Sequence, residues 1–243
     1  MEKEESNAGM RLNKYIAHCG VCSRREAGDL VKAGKVKVND AILLEPWYLV
    51  QESDQVEYQG KILQKEAKKI YILLNKPKNT ITSLKDEKGR KTVYDIVKNH
   101  VEERVYPVGR LDRNTLGLLL LTNDGDLAQK LAHPSHEIQK YYEATLDREV
   151  LPAHLEQIKN GLKLKDGLAP VDGAHYIKGD KKIVGIKIHI GRNRIVRRLF
   201  EHFGYEVKRL DRIYYAGLSK KDLPRGKFRH LTKQEVIRLK HFI

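Results

Sequence analysis

The chain has 243 residues, 40% of them hydrophobic, enough to bury a core and to exclude wholesale disorder. Its formal net charge of +15 points to a polyanionic partner. No apolar run approaches the ~20 residues a membrane-spanning helix needs, so no membrane role is expected. The excess charge is uneven. Residues 187–240 hold 16 Lys or Arg against 5 Asp or Glu, whereas residues 10–68 hold 10 against 8. Such a field steers nucleic acid toward the C-terminal part, with strong salt dependence.

Residues 1–9 are polar and net acidic, unlike a secretory or transit signal, and read as a disordered leader. Residues 10–64 read as a small domain. Leu12, Tyr15, Ile16 and Cys19 recur at helical spacing up to Gly20. Ser23 and Glu26 fit a capping box for a second helix, with Ala27, Leu30 and Val31 on its apolar face and Gly34 as its stop. Val36-Lys37-Val38 alternates like a strand, Asn39-Asp40 turns it, and residues 56–60 complete a small sheet. Cys19 and Cys22 form a C-x-x-C with no second ligand pair at suitable spacing. They read as buried thiols in a reducing cytoplasm, not as a metal site.

The charged run 65–69 reads as a linker. Beyond it, strand signals at 70–74, 105–108, 116–121, 141–146, 183–190 and 207–210 alternate with helices. Those are expected at 126–132, after Pro152, at 194–203 and from Thr232. The segment 78–91 reads as a polar, mobile loop. The pattern predicts an α+β domain with a mainly antiparallel sheet over residues 70–243.

The strongest chemical signal is Gly109-Arg110-Leu111-Asp112-Arg113-Asn114-Thr115, running into the apolar stretch from Leu116. A carboxylate between two cations and before a rigid strand is favoured in its ionised form, as a nucleophile or base requires. The same spacing also fits an ordinary surface ion pair. A magnesium nuclease using Asp112, Asp124 and Asp126 is a second reading. It is weakened because Asp124-Gly125-Asp126 reads as a turn and helix cap and two arginines would repel a cation. A non-catalytic RNA-binding protein is a third.

The run around Asp112 resembles the catalytic motif of the pseudouridine synthases, in the branch containing the RsuA and RluB enzymes. Lys140-Tyr141-Tyr142 resembles that family's K-x-Y element. Gly191 to Arg198 (GRNRIVRR) resembles its G-R-N-R-Q-V-R-R element, with Ile195 in place of the usual Gln. Leu12-Asn13-Lys14-Tyr15-Ile16 and Ser23-Arg24-Arg25-Glu26-Ala27 resemble the alpha-L RNA-binding domain. The resemblance covers nearly the whole chain beyond residue 9.

What it implies is isomerisation of a uridine to pseudouridine in structured ribosomal RNA, without metal or cofactor. The order of domains and the C-terminal extension lie closer to the RluB type, which points to large-subunit RNA. Asp112 falls on the catalytic carboxylate, as nucleophile at the sugar or as base in a glycal route. Arg197 falls on its ion-pair partner, with Val196 and Phe200 packing inward. Tyr142 falls on the aromatic that stacks on the target base, and Tyr141 is expected on the opposite face of its strand. Arg110 falls on the residue that enters the stack vacated by the flipped base, Val196 joins the substrate-binding set, and Lys76 borders the cleft. Arg192, Arg194, Arg198, Lys208, Arg209 and Arg212 are read as phosphate contacts. Arg11, Lys14, Arg24, Arg25 and Lys35 are read as the RNA face of the first domain. A monomer with no obligate protein partner is expected, in the cytoplasm.

Overall fold

A computed structural model describes residues 9–65 and 68–241. The chain divides into two compact units, Met1–Lys69 and Ile70–Ile243. The leader expected at 1–9 lies outside the described residues apart from Gly9, as do residues 66 and 67 of the expected linker.

In the first unit, β1 (Met10–Arg11) leads into α1 (Leu12–His18) and α2 (Arg24–Lys32). Then follow β2 (Val36–Val38), β3 (Ala41–Ile42), β4 (Leu49–Val50), β5 (Val56–Tyr58) and β6 (Lys61–Ile62). The capping box is present: the Ser23 hydroxyl accepts from Glu26 N at 3.2 Å, and the Glu26 carboxylate accepts from Ser23 N at 2.8 Å. This satisfies two otherwise orphan N–H groups at the start of α2. The sheet runs β3-β2-β5-β6, and β1 pairs with β4. Both of its tight turns, Asn39-Asp40 and Gln59-Gly60, have positive φ at two successive residues. That conformation matches the twist of hairpin strands and suits Asn, Asp and Gly. Leu12, Ile16, Ala27, Val31, Val36 and Val56 are fully buried between helices and sheet. Cys19 and Cys22 are half-buried rather than buried and form no disulfide.

The second unit contains β7 (Tyr71–Lys76), α3 (Tyr94–Val97), β8 (Tyr106–Pro107), β9 (Leu116–Thr122) and α4 (Gly125–Ala132). Next come β10 (Lys140–Leu146), α5 (Pro152–Lys159), β11 (Leu162–Leu164), β12 (Gly167–Ala169), β13 (Gly173–Ile177) and β14 (Asp180–Ile188). The chain closes with α6 (Ile195–Glu201), β15 (Val207–Tyr215), β16 (Leu218–Ser219), β17 (Phe228–His230) and α7 (Lys233–His241). The main sheet is ordered β13-β14-β10-β15-β9-β7-β17. Its pairings are antiparallel except that of β15 with β9, so the mainly antiparallel α+β reading holds.

Both faces of this sheet are covered, which is why its central strands read as unbroken apolar runs. Ile72, Leu74, Leu119 and Leu121 join one core with Val97, Ile158, Leu199 and Phe200, from α3, α5 and α6. Tyr71, Leu73, Leu118 and Leu120 join the other with Leu127, Leu131 and Leu239, from α4 and α7. Gly117 pairs with Arg212 where β9 runs beside β15. Its φ is +108°, and a Cβ there would collide with the Arg212 backbone and lie 2.7 Å from Asp211 Oδ1.

The segment 78–91 departs from the mobile-loop expectation. Ile81 forms a parallel bridge with Thr92, and the backbone bonds from Ile81 N to Lys91 O and from Val93 N to Ile81 O, each 2.9 Å, tie its two ends together. The last helix ends at His241 in the described residues; Phe242 and Ile243 lie outside them.

Candidate active site

Asp112 sits in the loop between β8 and β9, and that loop is fixed from beneath. The Asp112 carbonyl accepts from Thr115 N at 3.0 Å, closing a turn. Just before it, the Thr82 hydroxyl donates to Leu111 O at 2.7 Å and accepts from Leu111 N at 3.2 Å. Just after it, the fully buried Lys76 ammonium donates to Arg113 O at 3.1 Å, Thr115 O at 2.8 Å and Pro77 O at 3.2 Å. Three carbonyls thus accept all three ammonium protons, which ties the end of β7 to the loop. Burial pushes the Lys76 pKa down to about 8, Asp112 opposes that shift, and Arg225 adds to it. Lys76 therefore lies under the loop, a correction to its reading as a residue bordering the cleft. Its position follows from burial of the whole of β7.

The Asp112 carboxylate is about one-third exposed, and Arg197 Nε stands 4.0 Å from its Oδ2. That is ion-pair range but longer than a hydrogen bond. The Arg197 side chain is 11% exposed, donates through Nη1 to Val207 O at 2.8 Å, and leaves Nε buried with no hydrogen-bond partner. Burial and Arg194 both disfavour its charge; Asp112 favours it. The helix thus presents a nearly dehydrated cation toward the carboxylate, as the expected pairing requires, though in a looser geometry than a closed pair. Neither Arg110 nor Arg113 is ion-paired with Asp112, and both are exposed, so the simple surface pairing is not formed.

Asp112, Arg197, Asn114 and Lys78 line one pocket of about 450 Å³. Tyr142 lines a second, of about 460 Å³, with Arg110, Lys140, Arg192 and Arg212. The loop 109–114 and the segment 191–197 contribute to both pockets, but Tyr142 comes from β10, and the three expected catalytic residues do not line one cavity. Tyr142 is 8% exposed. Tyr141 lines neither pocket and hydrogen-bonds His175 at 2.8 Å, as alternation along β10 predicts.

Other expected contacts divide. Val196, read as part of the substrate-binding set, is 2% exposed, packs into the core and lines neither pocket, so its place is structural. Arg198 makes two hydrogen bonds to the Asp166 carboxylate, at 2.8 and 3.0 Å; Arg192 reaches the same residue, and Arg194 pairs with Glu201 at 2.9 Å. Lys208 pairs with Glu206 and Arg209 with Asp211, while Arg212 is buried. In the first unit Arg11, Arg24, Arg25 and Lys35 are exposed and Lys14 is half-buried. Arg24 and Arg25 occupy the first turn of α2, where the helix terminus favours phosphate.

Sequence reasoning missed Thr82 and the network around Asp211. Burial alone would raise the Asp211 pKa, but hydrogen bonds from Arg225 and Lys220 hold it below the usual carboxylate value. Arg225 also donates to Asn75 Oδ1 and Lys76 O, locking residues 223–227 to the end of β7. Asn75-Lys76-Pro77 ending an apolar strand is the local signal for that end of β7. Its partners come from 148 residues away and have none.

Of the carboxylates in the magnesium reading, Asp124 serves the helix cap that its place before Gly125 suggests. Asp124 caps α4, accepting from Leu127 N at 3.1 Å and from the Tyr71 hydroxyl at 2.7 Å. Among the described residues no three His, Cys, Asp or Glu side chains form a group that could hold a metal ion.

A fixed carboxylate facing a buried arginine, beside a pocket lined by cations, suits an enzyme that works on a polyanion. The chain belongs to the RNA pseudouridine synthases. The family profile described as RNA pseudouridylate synthase matches residues 70–202, and that of the S4 domain matches residues 10–56. The chain is 46% identical over 234 residues to "Ribosomal large subunit pseudouridine synthase B" of Bacillus subtilis, covering 95% of each. It is 35% identical to "Dual-specificity RNA pseudouridine synthase RluF" of Escherichia coli, covering 96% of this chain and 79% of that one. A solved pseudouridylate synthase superposes with a TM-score of 0.68 at 28% identity, covering 95% of this chain and 100% of the other.

Proposed function

We propose that this enzyme converts one uridine of large-subunit ribosomal RNA to pseudouridine, with Asp112 as the carboxylate that acts at the sugar. The observation that carries the reading is the partly exposed Asp112 carboxylate, 4.0 Å from a buried Arg197 Nε that has no other partner. The substrate class rests on the likeness to the Bacillus subtilis enzyme over 95% of both chains.

The reaction breaks the C1′–N1 bond, turns the uracil and joins C5 to C1′. The C5 proton leaves and N1 gains one, so no atom is gained or lost overall. C1′ is out of reach inside a stacked helix, so the nucleotide must be extruded, at a cost of a few kcal/mol. Arg110, exposed at the pocket rim, takes the vacated place in the stack with its planar guanidinium. Tyr142 stacks on the extruded base. Arg197 orients Asp112 and keeps it ionised as substrate displaces water. The S4 domain supplies a second RNA contact through Arg11, Lys14, Arg24, Arg25 and Lys35. The enzyme acts as a monomer in the cytoplasm.

The test is tritium release from ribosomal RNA carrying 5-tritiated uridine, with and without EDTA. Release that survives EDTA and maps to a large-subunit uridine missing from a deletion strain is the expected result. RNA cleavage in place of release, or a deletion strain with unchanged pseudouridines, contradicts the proposal.

A further inference from the structure

The pocket behind Tyr142 contains more cationic donors than base stacking requires. Arg212 stands directly across from Tyr142 in the β10–β15 pairing and is only 3% exposed. Its Nε donates to Leu118 O at 2.8 Å, and its guanidinium lies over the Tyr215 ring at 4.5 Å. Its Nη2 is buried without any hydrogen-bond partner. Desolvating a guanidinium N–H and leaving it unsatisfied is costly, so such a group is expected to meet an acceptor in a working state.

Lys140 lines the same pocket. Its ammonium donates to Ile138 O at 2.8 Å and His189 O at 2.5 Å, which leaves one proton unassigned. Burial, and then Arg212, push its pKa down to about 8, while Asp172 opposes. Asp172 is itself paired with His189 at 2.7 Å. Arg110 and Arg192 complete the wall, and no Asp or Glu lines the pocket. Four cations line about 460 Å³ with no carboxylate among the lining residues; Arg192 has Asp166 as a partner outside the pocket, and the other three suit an anion attached to something nucleotide-sized.

We propose that this pocket is a phosphodiester subsite. In it, Arg212, assisted by Lys140, receives a backbone phosphate adjoining the uridine carried by Tyr142. The proposal rests on the placement of that uridine on Tyr142. Phosphate is the anion an RNA substrate always brings, whereas a negatively charged uracil would exist only during the reaction. Arg212 acts on registration of the strand, so its loss weakens binding and KM more than kcat. Arg194, just before α6, and the half-buried Arg198 differ from it in having carboxylate partners, which an incoming phosphate would have to displace.

The test uses full-length Arg212→Gln and Lys140→Gln and an RNA hairpin containing the modified uridine. Gln keeps an amide donor for the Leu118 carbonyl in the first variant. Affinity is measured across a KCl series, first with unmodified RNA and then with RNA carrying a single methylphosphonate at each phosphate around the uridine. Arg212→Gln is expected to bind about tenfold more weakly, the loss of one charge-assisted hydrogen bond. Its log K against log salt slope should fall by about 0.7–0.9. At one position the neutral linkage should weaken the wild type and leave the variant unaffected. Should Arg212→Gln not fold, Lys140→Gln must show the same coupling at the same position. Unchanged slopes, or equal methylphosphonate penalties in wild type and variant, overturn the subsite. A uracil contact would leave every methylphosphonate penalty equal and so overturns it too. If the wild type leaves the uridine unmodified, the proposed function itself fails; if it modifies the uridine without phosphate coupling, only the subsite fails.

Discussion

The two walls of the site use buried cations in opposite ways. On the Asp112 wall, Lys76 gives all its protons to backbone carbonyls and Thr82 both donates to and accepts from Leu111, so the cation holds protein to protein. On the Tyr142 wall, Arg212 keeps a buried N–H without a partner. The first arrangement makes a carboxylate rigid before substrate arrives, which is how a reacting group is kept within reach of its target. The second leaves a donor in reserve for the substrate.

This comparison is broken most severely at Gly117, which underlies both walls. Gly117→Ala should cost roughly 3–4 kcal/mol, through overlap with the Arg212 backbone and through strain at positive φ. A thermal melt checks this, and a change of only a few tenths of a kcal/mol would mean that β9 and β15 separate easily. Lys76→Met should follow, at about 2–3 kcal/mol, because the buried Thr115 carbonyl and the part-buried carbonyls of Pro77 and Arg113 lose their donor. Its kcat should fall further than its RNA affinity, as expected when only Asp112 is displaced. Matching losses in both would assign Lys76 to RNA binding.

Lys76 also predicts a pH dependence. Its folded pKa of about 8 lies below the ordinary 10.5. Between those values the unfolded chain binds more protons than the folded one, so this group makes stability rise with pH from about 8 to 10.5. Below pH 8 both states are protonated and the effect is constant. Urea melts across that window should show a smaller rise in Lys76→Met; an identical rise would place the titration elsewhere, with Lys140 the next candidate.

The first unit offers a milder test. Removing residues 1–68 should weaken RNA binding and target choice while leaving residues 70–243 folded and able to modify RNA. Equal modification of the same uridine by the shortened chain would remove the role given to Arg24 and Arg25. The smallest effect is expected at Arg198→Gln. That side chain has Asp166 as a partner on an exposed surface, so stability should move little and RNA affinity only slightly.

Much of this was legible in the chain because its signals are local. Ser23 with Glu26, the turns at Asn39-Asp40, and the continuous apolar runs in β7 and β9 each imply a structure through neighbouring residues alone. Asp112, Tyr142 and Arg197 were singled out because they stand in recognisable motifs. What stayed hidden depends on contacts between distant segments. Lys76 looks like an exposed strand end until the loop from Arg113 to Thr115 is folded over it. Gly117 carried a signal that could have been used, since an isolated glycine within an apolar strand often marks close backbone approach. Nothing near Asp211 in sequence announces Arg225.

The central claim is that Asp112 performs the chemistry and does not merely hold RNA. It is tested most directly by measuring single-turnover pseudouridine formation and RNA affinity together for Asp112→Asn. The account predicts a rate lower by at least about a thousandfold with affinity within a few fold of wild type. A variant that forms pseudouridine at the wild-type rate, or whose rate loss is fully explained by weaker RNA binding, would contradict it.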